Sequence, residues 1–328
     1  MKNGTCLFRT SILIATLLFH AGCGLIQQGW HRPNTEKDEW SEWAECFDNK
    51  PLAHSGITRS VFCLEGQKSK PPVVLLHELN GLTDNTFRYA QELSEDFTVY
   101  LPMFFGLKGE DSILYGYHAY WLKGLIDFFP AGEWGNRKDE SAPIVEWLRG
   151  VVQRVQINHK SSPIRVIGNC MTGALPLALL STVNSSYPSV DAVVVAQPAL
   201  PMFFWKWRTK GDMESLGLSK TDWEQAINSS GRILALRFET DQISPLETEE
   251  VLLKRISTRL EFVEICASSY QSGEKEIRPH STLIGERDAI GEVGVISKRN
   301  RERVRSFLLD PTIVSGPTST CHTRPAEG

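Results

Sequence analysis

Three features are missing from this 328-residue sequence, and each absence excludes a class of protein. No basic stripe is present among 35 Lys and Arg and 39 Asp and Glu, whereas proteins that bind nucleic acid concentrate positive charge. No C-x-x-C pair is present, which argues against a thiol–disulfide redox enzyme. No apolar run is long enough for an ordinary transmembrane helix. The sequence therefore predicts a small-molecule partner and no nucleic acid.

The composition is that of a folded globular protein. Hydrophobic residues make up 41% and charged residues 23% of the chain, both close to the averages for soluble domains. The length is sufficient for one α/β domain of about 250 residues with additional ends. We expect a tether at 23–45, one domain at 46–310 and a disordered tail, rich in Thr, Ser and Pro, at 311–328.

Residues 1–22 resemble the export signal of a bacterial lipoprotein. Lys2 and Arg9 give a positively charged start, and an apolar run with two small residues leads into Cys23. The pattern predicts cleavage, lipidation of Cys23 and attachment to the membrane of the bacterial cell envelope. His20 stands where most such signals have an aliphatic residue, so plain secretion and an uncleaved anchor are the alternatives.

Strand-like and helix-like segments alternate along the rest of the chain. Strands are expected at 61–64, 73–76, 97–101, 164–167, 190–196, 233–238 and 260–266, and helices at 87–93, 144–155, 174–180, 223–227, 246–256 and 303–309. This alternation predicts an α/β fold with a mostly parallel sheet covered by helices on both faces. The segment 103–138 interrupts it with nine aromatic residues, which either line a substrate pocket or lid or pack in the core.

The number of cysteines is odd once the export signal is removed. Of seven cysteines, Cys6 leaves with the signal and Cys23 would carry lipid, so five remain. In an oxidising compartment at least one of the five then stays a free thiol. Cys46 and Cys63 lie close together along the chain and form the expected disulfide; the alternative is that both are small buried apolar residues.

Residues 164–180 carry the most informative pattern. A buried strand leads into Gly168, Cys170 follows two residues later, and an apolar helical segment begins directly after it. This is the nucleophile-elbow arrangement, which needs small neighbours and holds a nucleophile at the end of a sheet. A helix N-terminus there favours a negatively charged sulfur. The pattern therefore indicates that Cys170 is a nucleophile and the thiol that stays free.

Two further residues could complete a catalytic triad. Asp241 follows the strand at 233–238, and His280 lies in a loop after the last strand. The chain order of nucleophile, acid and histidine is that of α/β-hydrolases. Taken singly, Asp241 could be a helix cap and His280 a surface residue, but their order and positions together favour a Cys170–Asp241–His280 triad.

The segment after the strand at 73–76 predicts an oxyanion hole. It contains His77 and Glu78 before a glycine turn, and in this fold such a loop supplies one backbone N–H. We expect the N–H groups of Leu79 and Met171 to hold the oxyanion. The zinc motif H-E-x-x-H is excluded because Gly81 replaces its second histidine, and we expect neither a metal nor a cofactor.

With these residues the chain resembles the dienelactone hydrolase family. The matching motifs are H-E-x-x-G at 77–81, G-x-C at 168–170, Cys170-Met-Thr-Gly173, Gln197-Pro-Ala-Leu-Pro201 and His280-Ser-Thr-Leu283, and the resemblance covers roughly residues 73–309. The branch with a G-x-C-x-T-G elbow is the most similar. The resemblance implies the α/β-hydrolase fold, with Cys170 as nucleophile, His280 as base, Asp241 as its orienting acid and Glu78 as a carboxylate that holds or activates the thiol.

The sequence departs from the family pattern at two places. Thr172 occupies an elbow position that is glycine in many members, which predicts a crowded turn. The arginine that binds the substrate carboxylate in the founding members has no counterpart at 281–284, so a dienelactone substrate is not implied.

The expected function is hydrolysis of an ester, lactone or thioester bond through a thioacyl intermediate on Cys170. The alternative, from a different class, is an envelope lipoprotein that keeps the fold without turnover and acts as a binding or scaffold protein. Glu78 likewise has an alternative role, as a cap of a neighbouring turn.

Overall fold

The computed structural model describes residues 43–66, 70–104, 108, 132–134, 139–160, 162–181, 190–199, 214–267, 270–272, 275–289 and 291–312. The predicted signal with Cys23, the tether up to residue 42, most of the aromatic segment at 103–138 and residues 313–328 of the predicted tail lie outside the described residues. None of the described helices is both long enough and apolar enough to cross a membrane.

An eight-stranded, mostly parallel sheet forms the centre of the described fold. Its strands are β1 (Ala44–Glu45), β4 (Val61–Leu64), β5 (Val73–Leu75), β6 (Val99–Pro102), β7 (Ile164–Asn169), β8 (Val190–Ala196), β9 (Arg232–Phe238) and β10 (Leu260–Ile265). Their order is β1-β4-β6-β5-β7-β8-β9-β10, and β4 is antiparallel to both neighbours. Two hairpins accompany it, β2 (Leu52–His54) with β3 (Ile57–Arg59) and β11 (Tyr270–Ser272) with β12 (Lys275–Ile277).

Helices cover both faces of this sheet. They are α1 (Asp84–Ser94), α2 (Pro143–His159), α3 (Lys220–Asn228), α4 (Leu246–Ile256) and α5 (Glu292–Leu309). Two separate apolar clusters define the faces: one contains residues of α2, α3 and α4, and the other contains residues of α1 and α5. The predicted α/β class with helices on both faces is confirmed.

The strand β8 shows how the sequence divides between these two faces. Val193 and Val195 belong to the cluster with α2, whereas Ala192, Val194 and Ala196 belong to the cluster with α1. Successive side chains of a strand point to opposite faces, so a strand covered on both sides has a continuous apolar run. Full burial of each such valine contributes about 1.5–3 kcal/mol.

Two predictions from the sequence require correction. The domain begins before residue 46, because Trp43 is buried and β1 pairs with β4. The α-helix predicted at 174–180 is replaced by two short 3₁₀ segments, Cys170–Thr172 and Leu175–Leu179. Pro176 lacks the N–H that an α-helix would direct at the carbonyl of Thr172, which favours the tighter turns.

Candidate active site

The sheet brings the four predicted site side chains to one edge. Glu78 follows β5, Cys170 follows β7 and Asp241 follows β9, so all three lie at the carboxyl ends of parallel strands. His280 enters from the segment after β12. All four residues are buried, and the most exposed of them, His280, retains 8% of its accessible surface. Ligands of open α/β sheets bind at this edge.

Cys170 occupies a sharp turn between β7 and the first 3₁₀ segment. Its φ is +52°, in the left-handed region that is uncommon for a residue with a side chain. Such strain persists only where the surrounding structure fixes the residue, and it clusters at functional sites. The following 3₁₀ segment has three residues, so a helix dipole contributes less to stabilising a thiolate than the predicted α-helix would.

Two glycines make this turn possible. A Cβ added to Gly168 would lie 2.4 Å from the carbonyl oxygen of Thr172, and one added to Gly173 would lie 2.6 Å from Cα of Pro198. Both distances are shorter than Cβ contacts allow, and one partner in each case is backbone. The small residues on either side of Cys170 are therefore required by the close approach of neighbouring chain segments.

Thr172 stabilises the elbow and does not crowd it. Its Oγ1 accepts the N–H of Asn169 at 3.1 Å and lies 3.0 Å from the carbonyl oxygen of His77, to which the hydroxyl donates. The hydroxyl therefore joins the nucleophile turn to the loop after β5 across the site. Glycine at this position would lose both hydrogen bonds, so the threonine side chain has a structural role in this turn.

Asp241 and His280 form a buried hydrogen-bonded pair. His280 Nδ1 lies 2.7 Å from Asp241 Oδ2. The other carboxylate oxygen, Oδ1, accepts the backbone N–H groups of Ile243 at 2.8 Å and Ser244 at 3.1 Å. Because backbone N–H groups can only donate, Oδ1 stays an acceptor and the carboxylate presents Oδ2 to the imidazole.

The electrostatic environment of His280 favours its charged form. Burial alone would lower the pKa of His280, but the Asp241 carboxylate and the Cys170 sulfur outweigh it and raise the pKa well above its ordinary value. The far nitrogen, Nε2, is buried and has no hydrogen-bond partner of normal geometry among the described residues. Hydrogen bonds of a catalytic base are often long without substrate, so this nitrogen remains available to the Cys170 thiol.

Cys170 is the free cysteine in the described part of the chain. A disulfide joins Cys46 and Cys63, and Cys266 is also disulfide-bonded. The residue with the strained backbone and the histidine neighbour is thus the one that keeps its thiol.

His77 has a structural task beside the site. The N–H of Phe104 donates to His77 Nε2 at 3.0 Å, so the ring proton is on Nδ1, which lies 2.7 Å from the carbonyl oxygen of Glu78. Burial lowers the pKa of His77 to about 4, so the imidazole is neutral at neutral pH. His77 therefore fixes the backbone of the loop that contains Glu78 and Leu79 and does not act as a base.

Glu78 is held by side chains from two other loops. Its Oε1 accepts Gln197 Nε2 at 3.0 Å and Ser281 Oγ at 2.5 Å, and neither bond involves Cys170. Burial raises the pKa of Glu78, while the hydroxyl of Ser281, the charge of His280 and the amide of Gln197 act against that increase. The sequence identified Gln197 and Ser281 as motif residues but assigned them no role, since their partner lies more than 100 residues away along the chain.

A small cluster of apolar side chains includes Cys170. Leu79, Met171 and Ala199 are buried in one cluster with it, and Trp134 and Ile243 pack against that cluster while partly exposed. Within the described ranges, the N–H groups of Leu79 and Met171 have no side-chain or loop acceptor. The same part of the chain contains no group of His, Cys, Asp and Glu side chains arranged to hold a metal ion.

No protein-family model matches the chain, and no curated protein sequence matches it. Solved structures do match. A candidate dienelactone hydrolase from Klebsiella pneumoniae gives a TM-score of 0.53 at 15% identity, over 80% of this chain and 97% of that chain. An esterase from Pyrococcus furiosus gives a TM-score of 0.47 at 14% identity, over 85% of this chain and 94% of that chain. The sheet topology and the first of these likenesses show that the chain has the α/β-hydrolase fold.

Proposed function

We propose that this protein is a hydrolase that cleaves an ester, lactone or thioester bond through a thioacyl intermediate on Cys170. One arrangement carries the proposal: a free cysteine in a strained turn, which interacts with His280, whose Nδ1 is hydrogen-bonded to the buried Asp241. Nucleophile, base and orienting acid in this relation activate the nucleophile on several unrelated folds. The motifs that resemble dienelactone hydrolases support the same chemistry.

Acylation uses the free nitrogen of His280. Asp241 accepts a hydrogen bond from the N–H at Nδ1, so Nε2 takes the proton of the Cys170 thiol and the sulfur attacks the carbonyl carbon of the substrate. The backbone N–H groups of Leu79 and Met171 would hold the negative charge that develops on the carbonyl oxygen. His280 then gives its proton to the leaving alcohol or thiol, and the acyl group remains on sulfur.

Deacylation reverses these roles with water. His280 removes a proton from a water molecule, the resulting hydroxide attacks the thioester carbonyl, and the proton returns to the departing sulfur. Glu78 contributes in the resting enzyme, where its carboxylate exchanges a proton with the Cys170 thiol and so maintains a reactive thiolate fraction.

The surroundings of Cys170 favour an uncharged, apolar acyl group. In addition to His280, Cys170 has the apolar side chains of Leu79, Met171 and Ala199 beside it, with Trp134 and Ile243 at the partly exposed side of that cluster. The four residues at 281–284, where the founding family members place a carboxylate-binding arginine, are all buried in this protein. We therefore expect simple acyl esters to be better substrates than esters of dicarboxylic acids.

Removal of the nucleophile tests the proposal. Wild-type protein and Cys170→Ala are compared on a series of short-chain nitrophenyl esters and lactones. We expect the substitution to lower kcat on the order of 10⁶-fold. The double variant Cys46→Ser with Cys63→Ser controls for the loss of cysteine elsewhere and should keep its activity. Undiminished hydrolysis by Cys170→Ala would end the proposal, and a wild type without turnover or labelling by a thiol-reactive ester would favour the scaffold alternative.

We further propose that the protein is exported and anchored through a lipid on Cys23. The sequence of residues 1–22 supports this, and so do the disulfide bonds in the described domain, because disulfides persist mainly outside the cytosol. Metabolic labelling with a radioactive fatty acid should mark the wild type and leave Cys23→Ser unmarked. Wild-type protein found in the cytosol with Met1 retained would contradict export.

A further inference from the structure

Gln197 occupies an unusual position for a polar residue. It directly follows β8, its side chain is completely buried, and its φ is +35°, in the left-handed region. Its own N–H donates to the carbonyl oxygen of Leu236 at 2.7 Å, which binds this strained residue to β9. Backbone strain of this kind is retained where the residue has a task.

Its hydrogen bonds determine which way the Gln197 amide points. Oε1 lies 3.2 Å from the backbone nitrogen of Thr282 and also accepts the Thr282 hydroxyl. A backbone N–H can only donate, so the atom that faces Thr282 must be the amide oxygen. The amide NH₂ consequently faces Glu78 and donates to Oε1 at 3.0 Å.

The hydrogen bonds of Ser281 likewise determine the direction of its hydroxyl proton. Its oxygen accepts the backbone N–H groups of Gly285 at 2.6 Å and Ile284 at 3.3 Å, which occupies both lone pairs. The single hydroxyl proton is therefore left for Glu78 Oε1, 2.5 Å away.

Both donors thus meet the same oxygen of Glu78. An oxygen that accepts an amide N–H and a hydroxyl has no room for a proton of its own in this geometry. When Glu78 is protonated, its proton must be on Oε2, and Oε1 is then the carbonyl oxygen of the acid.

We propose that Gln197 is a positioning residue that, together with Ser281, confines the exchangeable proton of Glu78 to Oε2. The inference rests on the proposed function, in which Glu78 exchanges that proton with Cys170. In the exchange the S–H bond breaks and an O–H bond forms at Oε2, while the electron pair stays on sulfur. The other titratable groups that act on Glu78 are His280 and Asp241, and the neutral His77 precedes it in the chain.

The infrared carbonyl band of protonated Glu78 tests this proposal in the full chain. The band is identified by its absence from Glu78→Gln. A hydrogen bond to a carbonyl oxygen lowers its stretching frequency, so Gln197→Met, which removes one of two donors to Oε1, should move the band to higher wavenumber. The midpoint of its pH titration should move to higher pH, because the ionised carboxylate loses a donor. In ester hydrolysis kcat should fall while KM is unchanged.

Gln225→Met is the matched control. Gln225 Nε2 donates to the backbone carbonyl of Leu180 at 2.8 Å, and Gln225 belongs to α3 on one face of the sheet. This substitution should leave both the band and its midpoint unchanged. If Gln197→Met does not fold, Ser281→Ala removes the other donor and should shift the band in the same direction.

An unchanged band and midpoint in Gln197→Met, or in Ser281→Ala where that variant replaces it, would overturn the proposal. A shift of equal size in Gln225→Met would overturn it as well. The infrared measurement needs no turnover, so its failure is distinct from failure of the proposed function, which would appear as ester hydrolysis retained by Cys170→Ala.

Discussion

Two buried carboxylates meet at the same edge of the sheet and are held by different kinds of group. Asp241 receives two backbone N–H groups on one oxygen and His280 on the other. Glu78 receives the side chains of Gln197 and Ser281 on a single oxygen. Backbone donors fix the position of the Asp241 carboxylate, whereas Glu78 is held by side chains alone and burial raises its pKa.

The loop that contains Asp241 is also held by the side chain of Arg237. Arg237, in β9, donates to the carbonyl oxygens of Ser244 at 3.1 Å and Glu239 at 3.2 Å, on either side of Asp241 along the chain. The guanidinium is buried and pairs with Glu264 at 3.1 Å. One sheet edge therefore carries two acids, one held by backbone groups and the other by side chains.

After removal of the nucleophile itself, the largest effect is expected from Asp241→Asn. The new amide oxygen can accept the two backbone N–H groups, so the NH₂ group faces His280 and forces its Nδ1 to be an acceptor. The ring proton then moves to Nε2, which cannot receive the thiol proton, and kcat/KM should fall on the order of 10⁴-fold. Asp191→Asn, which removes the partner of Arg165, is the control and should retain activity. A loss no greater than that of the control would show that Asp241 does not orient the base.

A smaller loss is expected from Glu78→Gln. This substitution removes the proton-exchanging group but keeps an oxygen for both donors, so the single-turnover acylation rate should fall by roughly 10²-fold. Acylation as fast as in the wild type would mean that Glu78 only supports a turn and has no part in activating Cys170.

The same substitution should stabilise the fold as the pH rises. The folded-state pKa of Glu78 is raised above its unfolded value, so the native state binds the proton more tightly and loses stability as the pH increases through that interval. The amide introduced by Glu78→Gln has no proton to lose, so the Tm of the variant should exceed that of the wild type by a margin that grows as the pH rises above the ordinary glutamate pKa of about 4.3. Thermal scans across pH measure this margin, and a constant difference would contradict ionisation of Glu78 within this range.

The smallest loss of activity is expected from Arg237→Lys. An ammonium group keeps the charge but cannot reach both carbonyl oxygens with the fixed geometry of a guanidinium, so we expect roughly a tenfold loss in kcat. Arg259→Lys is the matched control, because Arg259 also donates to backbone carbonyls, those of Gly231 and Ala226, at the other end of β9. Equal losses in the two variants would indicate general destabilisation and no specific support of Asp241.

The sequence predicted those parts of the fold that have a strong local pattern. Strands β4 and β8 and helix α4 have the predicted bounds, since each is a continuous apolar or amphipathic run. The hairpins β2–β3 and β11–β12 were not predicted because their three-residue strands mix polar and apolar residues, whereas the equally short β5 is wholly apolar.

Prediction of the site from the sequence was also limited to residues with a local pattern. The sequence predicts Cys170, Asp241 and His280 as site residues because each follows a recognisable strand or motif. The hydrogen bond between Gln197 and Glu78 joins residues 119 positions apart, and no local pattern encodes it. The neutral state of His77 depends on its burial, and the position of its ring proton depends on the N–H of Phe104, which only the folded chain brings near.

The disulfide between Cys46 and Cys63 has a mechanical consequence. Strand β1 pairs with β4 over only two residues, so a pull on the chain ahead of Trp43 would peel it from the sheet edge. Because Cys46 directly follows β1 and is covalently bonded to Cys63 in β4, the chain cannot separate from β4 beyond this point. The force then acts on β4, which pairs with β6 over four residues. Tension on the N-terminal segment therefore acts on a covalent bond at the sheet edge formed by β1. Three strands separate this edge from β7, which leads into the nucleophile turn.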